Sequence, residues 1–217
     1  MKKIFSILTL ALLFAVVPAS AQLDKGFNFG VKAGLNFTNM SNPSDAFKEG
    51  FMKTYTGFNA GMVFNFRLPL GFEISPELLY VQSGFKAEGE VLGLPLTTRY
   101  NSGSLRVPVN LQWGISILNV VKPYVVVSPY VGAVLFGNGS ILGADLNQET
   151  VNEYLNRFQY GIGVGAGIYV WRFQVSFKWN WDLNPVFKEG GNFSEAMDSM
   201  KGTSKFNGGE LSLAFFF

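Results

Sequence analysis

The chain has 217 residues, of which 15 % are charged, and it contains neither cysteine nor histidine. The first absence rules out disulfides and thiolate metal sites; the second rules out Ser–His hydrolases and His-based metal sites. Of 17 lysines and arginines, two lie in the amino-terminal leader, so the remaining 15 match the 15 acidic residues, and a neutral chain argues against nucleic acid as a partner.

Met1-Lys2-Lys3 is a charged start, Ile4 to Val17 is a short apolar run, and Pro18-Ala19-Ser20-Ala21 is a small-residue cleavage pattern. This is the layout of a secretory signal over residues 1–21, with Gln22 as the first residue of the exported chain. The run is too short for a spanning helix, which needs about 20 apolar residues. Residues 22–217 then make a single domain.

From Phe27 to Thr38 the chain alternates strictly. Phe27, Phe29, Val31, Ala33, Leu35 and Phe37 lie on one face, and Asn28, Gly30, Lys32, Gly34, Asn36 and Thr38 on the other. Period two with unlike faces predicts a strand, and its length suits a tilted spanning strand of about 9–11 residues. The pattern returns over 58–66, 72–81, 105–113, 158–168, 173–182 and 210–217. Residues 122–136 add an eighth strand that is apolar on both faces, so its facing stays open. An even number of strands is what a single-chain bacterial barrel requires.

The connections alternate in length. Arg67 to Gly71, Gly114 to Val121 and Val170 to Arg172 are short; Asn39 to Tyr55, Phe85 to Ser104, Gly137 to Arg157 and Asp182 to Gly209 are long. Short periplasmic turns and four longer extracellular loops fit a transmembrane barrel. A soluble barrel would turn the aromatic face inward. Here aromatics crowd strand ends at Phe27, Phe72, Trp113 and Trp181, where a membrane barrel carries its interfacial girdles, and the mixed face is rich in glycine and small polar groups. The expected fold is all-β: an eight-stranded antiparallel up-and-down transmembrane β-barrel in the cell outer membrane. Leu35, Phe64, Val109, Val175 and Leu213 are expected to face lipid, and Asn36, Asn65, Asn110, Ser176 and Ser212 the lumen.

Several segments carry a family resemblance. Phe72-Glu-Ile-Ser-Pro-Glu-Leu-Leu-Tyr-Val-Gln-Ser-Gly84 resembles the Pro-Glu-Leu-Leu-Tyr strand of the PorT-like outer-membrane β-barrel family of Bacteroidetes. Gly30–Asn36, Leu105–Leu111, Lys122–Gly132 and Gly161–Gly167 are similar to that family's first, fourth, fifth and sixth strands. The resemblance implies an eight-stranded barrel; one branch of the family serves type IX secretion.

The mixed face collects Lys32, Glu73, Glu77, Arg106, Lys178, Asp182 and Glu210. These residues could form an ion pathway or a charge-paired lumen filling. Eight strands leave room only for side chains, which favours filling. Lys178 with Glu210, and Glu77 with Arg106, are the expected pairs on neighbouring strands. Phe215 and Phe217 form the expected assembly signal at the terminus. Gly161-Ile-Gly-Val-Gly-Ala partly fits a dinucleotide fingerprint, but that motif needs a following helix, and here the strand pattern continues. Helical spacing within Asp145–Arg157 predicts a short loop helix, either a partner-binding element or a cap over the barrel.

No catalytic, cofactor-binding or metal site is expected. The expected partners are outer-membrane lipid, the barrel-assembly machinery during biogenesis, and a protein at the extracellular loops. The leading reading is a non-enzymatic structural or surface-interaction protein. The alternatives are a secretion component, a narrow channel and a lipid-modifying enzyme.

Overall fold

The computed structural model describes residues 26–41, 52–91, 94–117, 120–141, 144–145, 156–185 and 205–217. The expected signal segment and most of the expected loop helix lie outside them. Eight long strands form: β1 (Phe27–Ser41), β2 (Tyr55–Arg67), β3 (Phe72–Val91), β4 (Leu94–Gly114), β5 (Val121–Ile141), β6 (Phe158–Val170), β7 (Phe173–Asp182) and β8 (Lys205–Phe216). Each pairs antiparallel with the next, and β8 returns to β1 with Gly30 opposite Phe216 and Leu35 opposite Leu211. The ring is closed, so no barrel strand is left with an open edge. Two short pieces, Met52–Lys53 and Ala144–Asp145, add to the outer ends of β3 and β5.

The alternation decides which side of the wall each residue takes. Leu35, Val175 and Leu213 are exposed on the outside, while Asn36, Asn65, Asn110, Ser176 and Ser212 are buried inside. Phe64 and Val109, also on the outer side, are half-buried. Apolar groups outward and polar groups inward is the reverse of a water-soluble barrel and matches a lipid surround. On β5 the facing is now fixed: Tyr124, Val126, Ser128 and Tyr130 point inward, and Val125, Val127 and Val131 outward. Past Val131 the register with β4 shifts between Gly103 and Ser104, and Leu135 is the extra residue of a bulge.

Two of the expected long loops are corrected. β3 and β4 continue as a hairpin from Phe85 opposite Tyr100 up to Val91 opposite Leu94. β5 follows β4 up to Ile141 opposite Thr98. Much of Phe85–Ser104 and the start of Gly137–Arg157 are therefore strand. Backbone pairing needs no alternation of side chains, so these stretches pair without a period-two signal in the sequence.

The three short connections carry exposed apolar side chains: Leu68 and Leu70, then Ile115, Ile117 and Val120, then Trp171. Leu70 and Trp171 adopt φ of 64° and 56°. This left-handed region disfavours any residue with a Cβ.

Candidate functional site

The inner face of the barrel is the candidate site. β3 rises from the short-turn end, so its inward residues Glu73, Glu77, Val81 and Phe85 mark four successive levels.

At the lowest level Glu73 accepts from Lys122 Nζ at 2.8 Å and from Asn65 Nδ2 at 3.2 Å, and Arg67 Nε lies 3.3 Å away. Ser75 donates to Asn65 Oδ1 at 2.8 Å, and the Tyr169 hydroxyl donates to Gln112 at 2.9 Å. Above this level, Val63, Tyr124, Val126, Tyr169, Ala214 and Phe216 form a small apolar layer.

The second level is a cluster of two cations and two anions. Lys32 Nζ lies 2.9 Å from both Glu77 Oε2 and Glu210 Oε1. Lys178 Nζ faces the same carboxylates at longer range, 3.7 Å to Glu77 and 3.4 Å to Glu210, and donates to Asn110 Oδ1 at 3.3 Å. Asn110 Oδ1 also accepts from Ser128 at 2.7 Å. All four charged side chains are buried. Removing such charges from water is costly, and only close pairing with further hydrogen bonds offsets it. The cavity lined by Lys32, Glu77 and Lys178, with Asn110, Gln112 and Tyr124, has no room for a water molecule.

At the third level Arg106 pairs with Asp182 at 3.5 Å and lies 4.4 Å above the Tyr130 ring. The Tyr130 hydroxyl donates to Asp182. A small cavity beside them, bordered by Asn36, Thr38 and Asn180, has space for about one water. The fourth level is aromatic. Tyr100 stacks on Phe85 and Phe206 with ring centroids 5.6 and 6.3 Å away.

β6 makes space for these groups. Its inward positions include Gly161, Gly163, Gly165 and Gly167. A Cβ at Gly161 would overlap the Tyr130 hydroxyl, and one at Gly167 the Tyr124 hydroxyl. The glycine run therefore accepts tyrosines folded across from β5 and is strand throughout.

All seven residues singled out on the mixed face are inward and buried. The structure divides them among three clusters: Glu73; Lys32, Glu77, Lys178 and Glu210; and Arg106 with Asp182. Lys178 and Glu210 are brought together. The expected Glu77–Arg106 pair does not form, because Arg106 lies opposite Leu79 and is one level too high. Lys122 went unassigned in the sequence, since its strand is apolar on both faces. It shares parity with Ser128 and Tyr130, and that was the available signal. Lys122 joins the cations Lys32, Arg106 and Lys178, and Arg67 and the buried Arg172 also lie on the inward parity, so among the described residues the inner face carries more cations than the anions Glu73, Glu77, Asp182 and Glu210. Tyr169 also went unassigned, because a single phenol carries no facing signal; Asn65 and Asn110 are inward as expected, with partners that the sequence did not assign.

Phe215 and Phe217 lie half-buried, while Phe216 between them is inside. Phe215 packs on Phe173 with centroids 5.2 Å apart, and the Phe217 ring lies 5.0 Å from that of Phe29, whose carbonyl accepts the Phe217 N–H at 2.9 Å. The terminus thus closes the wall against β1 and β7.

The family profile described as outer membrane protein beta-barrel domain matches residues 20–188. No curated protein matches the sequence. Among solved structures the chain is similar to Neisserial surface protein A at 12 % identity and TM-score 0.48, over 89 % of this chain and 100 % of that one. It is similar to Ail, the attachment invasion locus protein of Yersinia pestis, in complex with the heparin analogue sucrose octasulfate, at 14 % identity and TM-score 0.43, over 89 % and 100 % of the two chains. It is also similar to the outer membrane protein OprG from Pseudomonas aeruginosa, at 11 % identity and TM-score 0.45, over 89 % and 97 %.

Proposed function

This chain belongs to the outer membrane protein beta-barrel domain family, and from that premise we propose that it is a sealed, non-enzymatic barrel that acts through what it presents at the cell surface. The leader at 1–21 exports it, and the Pro76-Glu-Leu-Leu-Tyr80 strand supports a PorT-like branch within the family. The observation that carries the reading is the second level of the lumen, where Lys32, Lys178, Glu77 and Glu210 pair with one another beside a space with no room for water. An ion path needs continuous hydration or a chain of replacement ligands, and a closed set of mutually paired charges offers neither. The lumen works as a fastener between walls. What remains for interaction is the end opposite the short turns, where the β3–β4 hairpin and β5 rise and where residues 42–51, 146–155 and 186–204 are attached. A protein partner is the occupant proposed for that end.

Two measurements test this. Purified protein in a planar bilayer should show no steady conductance; large, lasting channels would overturn the sealed lumen. The chain has no native cysteine, so single substitutions report sidedness directly. A membrane-impermeant maleimide on intact cells should label Asn138→Cys and not Leu70→Cys. The opposite pattern would invert the orientation.

A further inference from the structure

The surplus of positive charge on the inner face lies at its short-turn end. Arg67, Lys122 and Arg172 gather there, and among the described side chains Glu73 is the acid set against them. Glu73 is already engaged. Its Oε1 accepts from Lys122 Nζ at 2.8 Å and its Oε2 from Asn65 Nδ2 at 3.2 Å. Arg67 Nε stands 3.3 Å from the same Oε1 without making a hydrogen bond. Arg172 comes from the foot of β7, across the ring from β3. Its carbonyl accepts the Phe216 N–H at 2.9 Å, and the Phe216 ring lies 5.8 Å from that of Tyr169, whose hydroxyl accepts from Asn65 beside Glu73. Arg172 is 8 % exposed, and its Nη2 is buried with no hydrogen-bond partner. A buried charged donor left unmet is costly.

The rim around these cations is apolar. Leu68, Leu70 and Trp171 are exposed on the turns next to Arg67 and Arg172, and the Arg172 guanidinium lies 5.5 Å from the Trp171 ring centre. Tryptophan settles at the headgroup boundary of a bilayer, so this mouth stands at the height of lipid phosphates. The planar fork of a guanidinium matches the oxygens of a phosphate.

We propose that the short-turn mouth of the barrel binds the phosphate of an anionic phospholipid through Arg172 and Arg67, with Lys122 beside them. The phosphate oxygens accept from Arg172 Nη2 and Arg67 Nε, the two donors that Glu73 leaves unmet, while the acyl chains stay outside the wall against Leu70 and Trp171. Surplus positive charge selects the headgroup: a zwitterionic lipid brings its own cation, and an anionic one does not. This site lies at the opposite end from the proposed surface partner and does not depend on it.

The test is native mass spectrometry of the folded exported chain in non-ionic detergent. Short-chain phosphatidylglycerol, short-chain phosphatidylcholine and inorganic phosphate are added in separate arms. One phosphatidylglycerol should be retained, and the other two much less. Arg172→Gln and Arg67→Gln should each lower that retention roughly tenfold, about the worth of one charged hydrogen bond. Lys205→Gln, at the far end of β8, should leave it unchanged. Heat-modifiability reports whether each variant is folded, and the comparison among the three ligands needs no variant. Equal retention of the two lipids would overturn the proposal, and so would inorganic phosphate held as well as phosphatidylglycerol. Unchanged retention in either folded arginine variant would overturn it too.

Discussion

Lys32 holds the tightest position in the lumen, with two carboxylates at 2.9 Å on a side chain that is 2 % exposed. Lys32→Met is nearly isosteric and leaves Glu77 and Glu210 short of a cation. Breaking a buried pair in this way costs about 3–5 kcal/mol. The expected result is a lower urea midpoint in detergent or vesicles, with part of the loss recovered in the double variant Lys32→Met, Glu77→Gln. Equal stability of the single variant and the wild type would show that the cluster is hydrated. Outside the wall the sign of the argument reverses. Leu35→Arg and Val175→Arg put a charge against lipid and should each cost about 2–4 kcal/mol near the midplane, falling toward the interfaces. Cysteines at the same two positions should react with a lipid-restricted probe, and Ser176→Cys should not.

At the scale of elements, the last strand is both a wall segment and a closure. Phe217 donates its N–H to Phe29 and packs its ring against the same residue. Deleting Phe217 removes both contacts at the seam between β8 and β1. Export should continue, while the folded outer-membrane fraction falls on a heat-modifiability gel. Unchanged assembly would separate the seam from any assembly signal. Strand existence was legible in the sequence wherever lipid imposes unlike faces, as from Phe27 to Thr38. It was illegible along β5, where Tyr124, Val126 and Tyr130 turn apolar bodies inward and only their neighbours in the fold reveal the side. It was also illegible above Phe85, where pairing continues without a period-two pattern. Within the lumen, charge type and parity identified which residues meet the interior. Level along the axis decided their partners, and level depends on register, which no single strand encodes: Arg106 meets Asp182 from β7 instead of Glu77 from the adjacent β3.

For the whole molecule, closure of the ring and a filled interior act together. A closed barrel has no strand edge from which to unzip, and its interior layers tie non-adjacent strands: Lys32 on β1 to Glu77 on β3, Lys122 on β5 to Glu73 on β3, and Arg106 on β4 to Asp182 on β7. Unfolding should therefore be a single transition. Fluorescence from Trp113 on β4 and from Trp179 on β7, each isolated by replacing the other tryptophans with Phe, should report the same urea midpoint. Separate midpoints would show that the two halves of the wall are held independently.

The turns bear on how the barrel floats. Two backbone positions that favour glycine or asparagine carry Leu70 and Trp171, at 87 % and 57 % exposure, in left-handed conformations that are disfavoured by about 1–2 kcal/mol each. Polar turns would avoid that strain and suit an aqueous compartment. Large apolar ones at the tips extend the greasy belt beyond the strand ends, and bulky aromatics such as Trp171 settle at the headgroup boundary. If the turns set the hydrophobic height on one side, the turn end is expected to rest in the headgroups of one leaflet, with the β3–β4 hairpin clear of the other. A polarity-sensitive fluorophore on Leu70→Cys should emit as in an interfacial environment in vesicles, and Leu70→Asn with Trp171→Asn should relax the backbone while loosening that vertical hold.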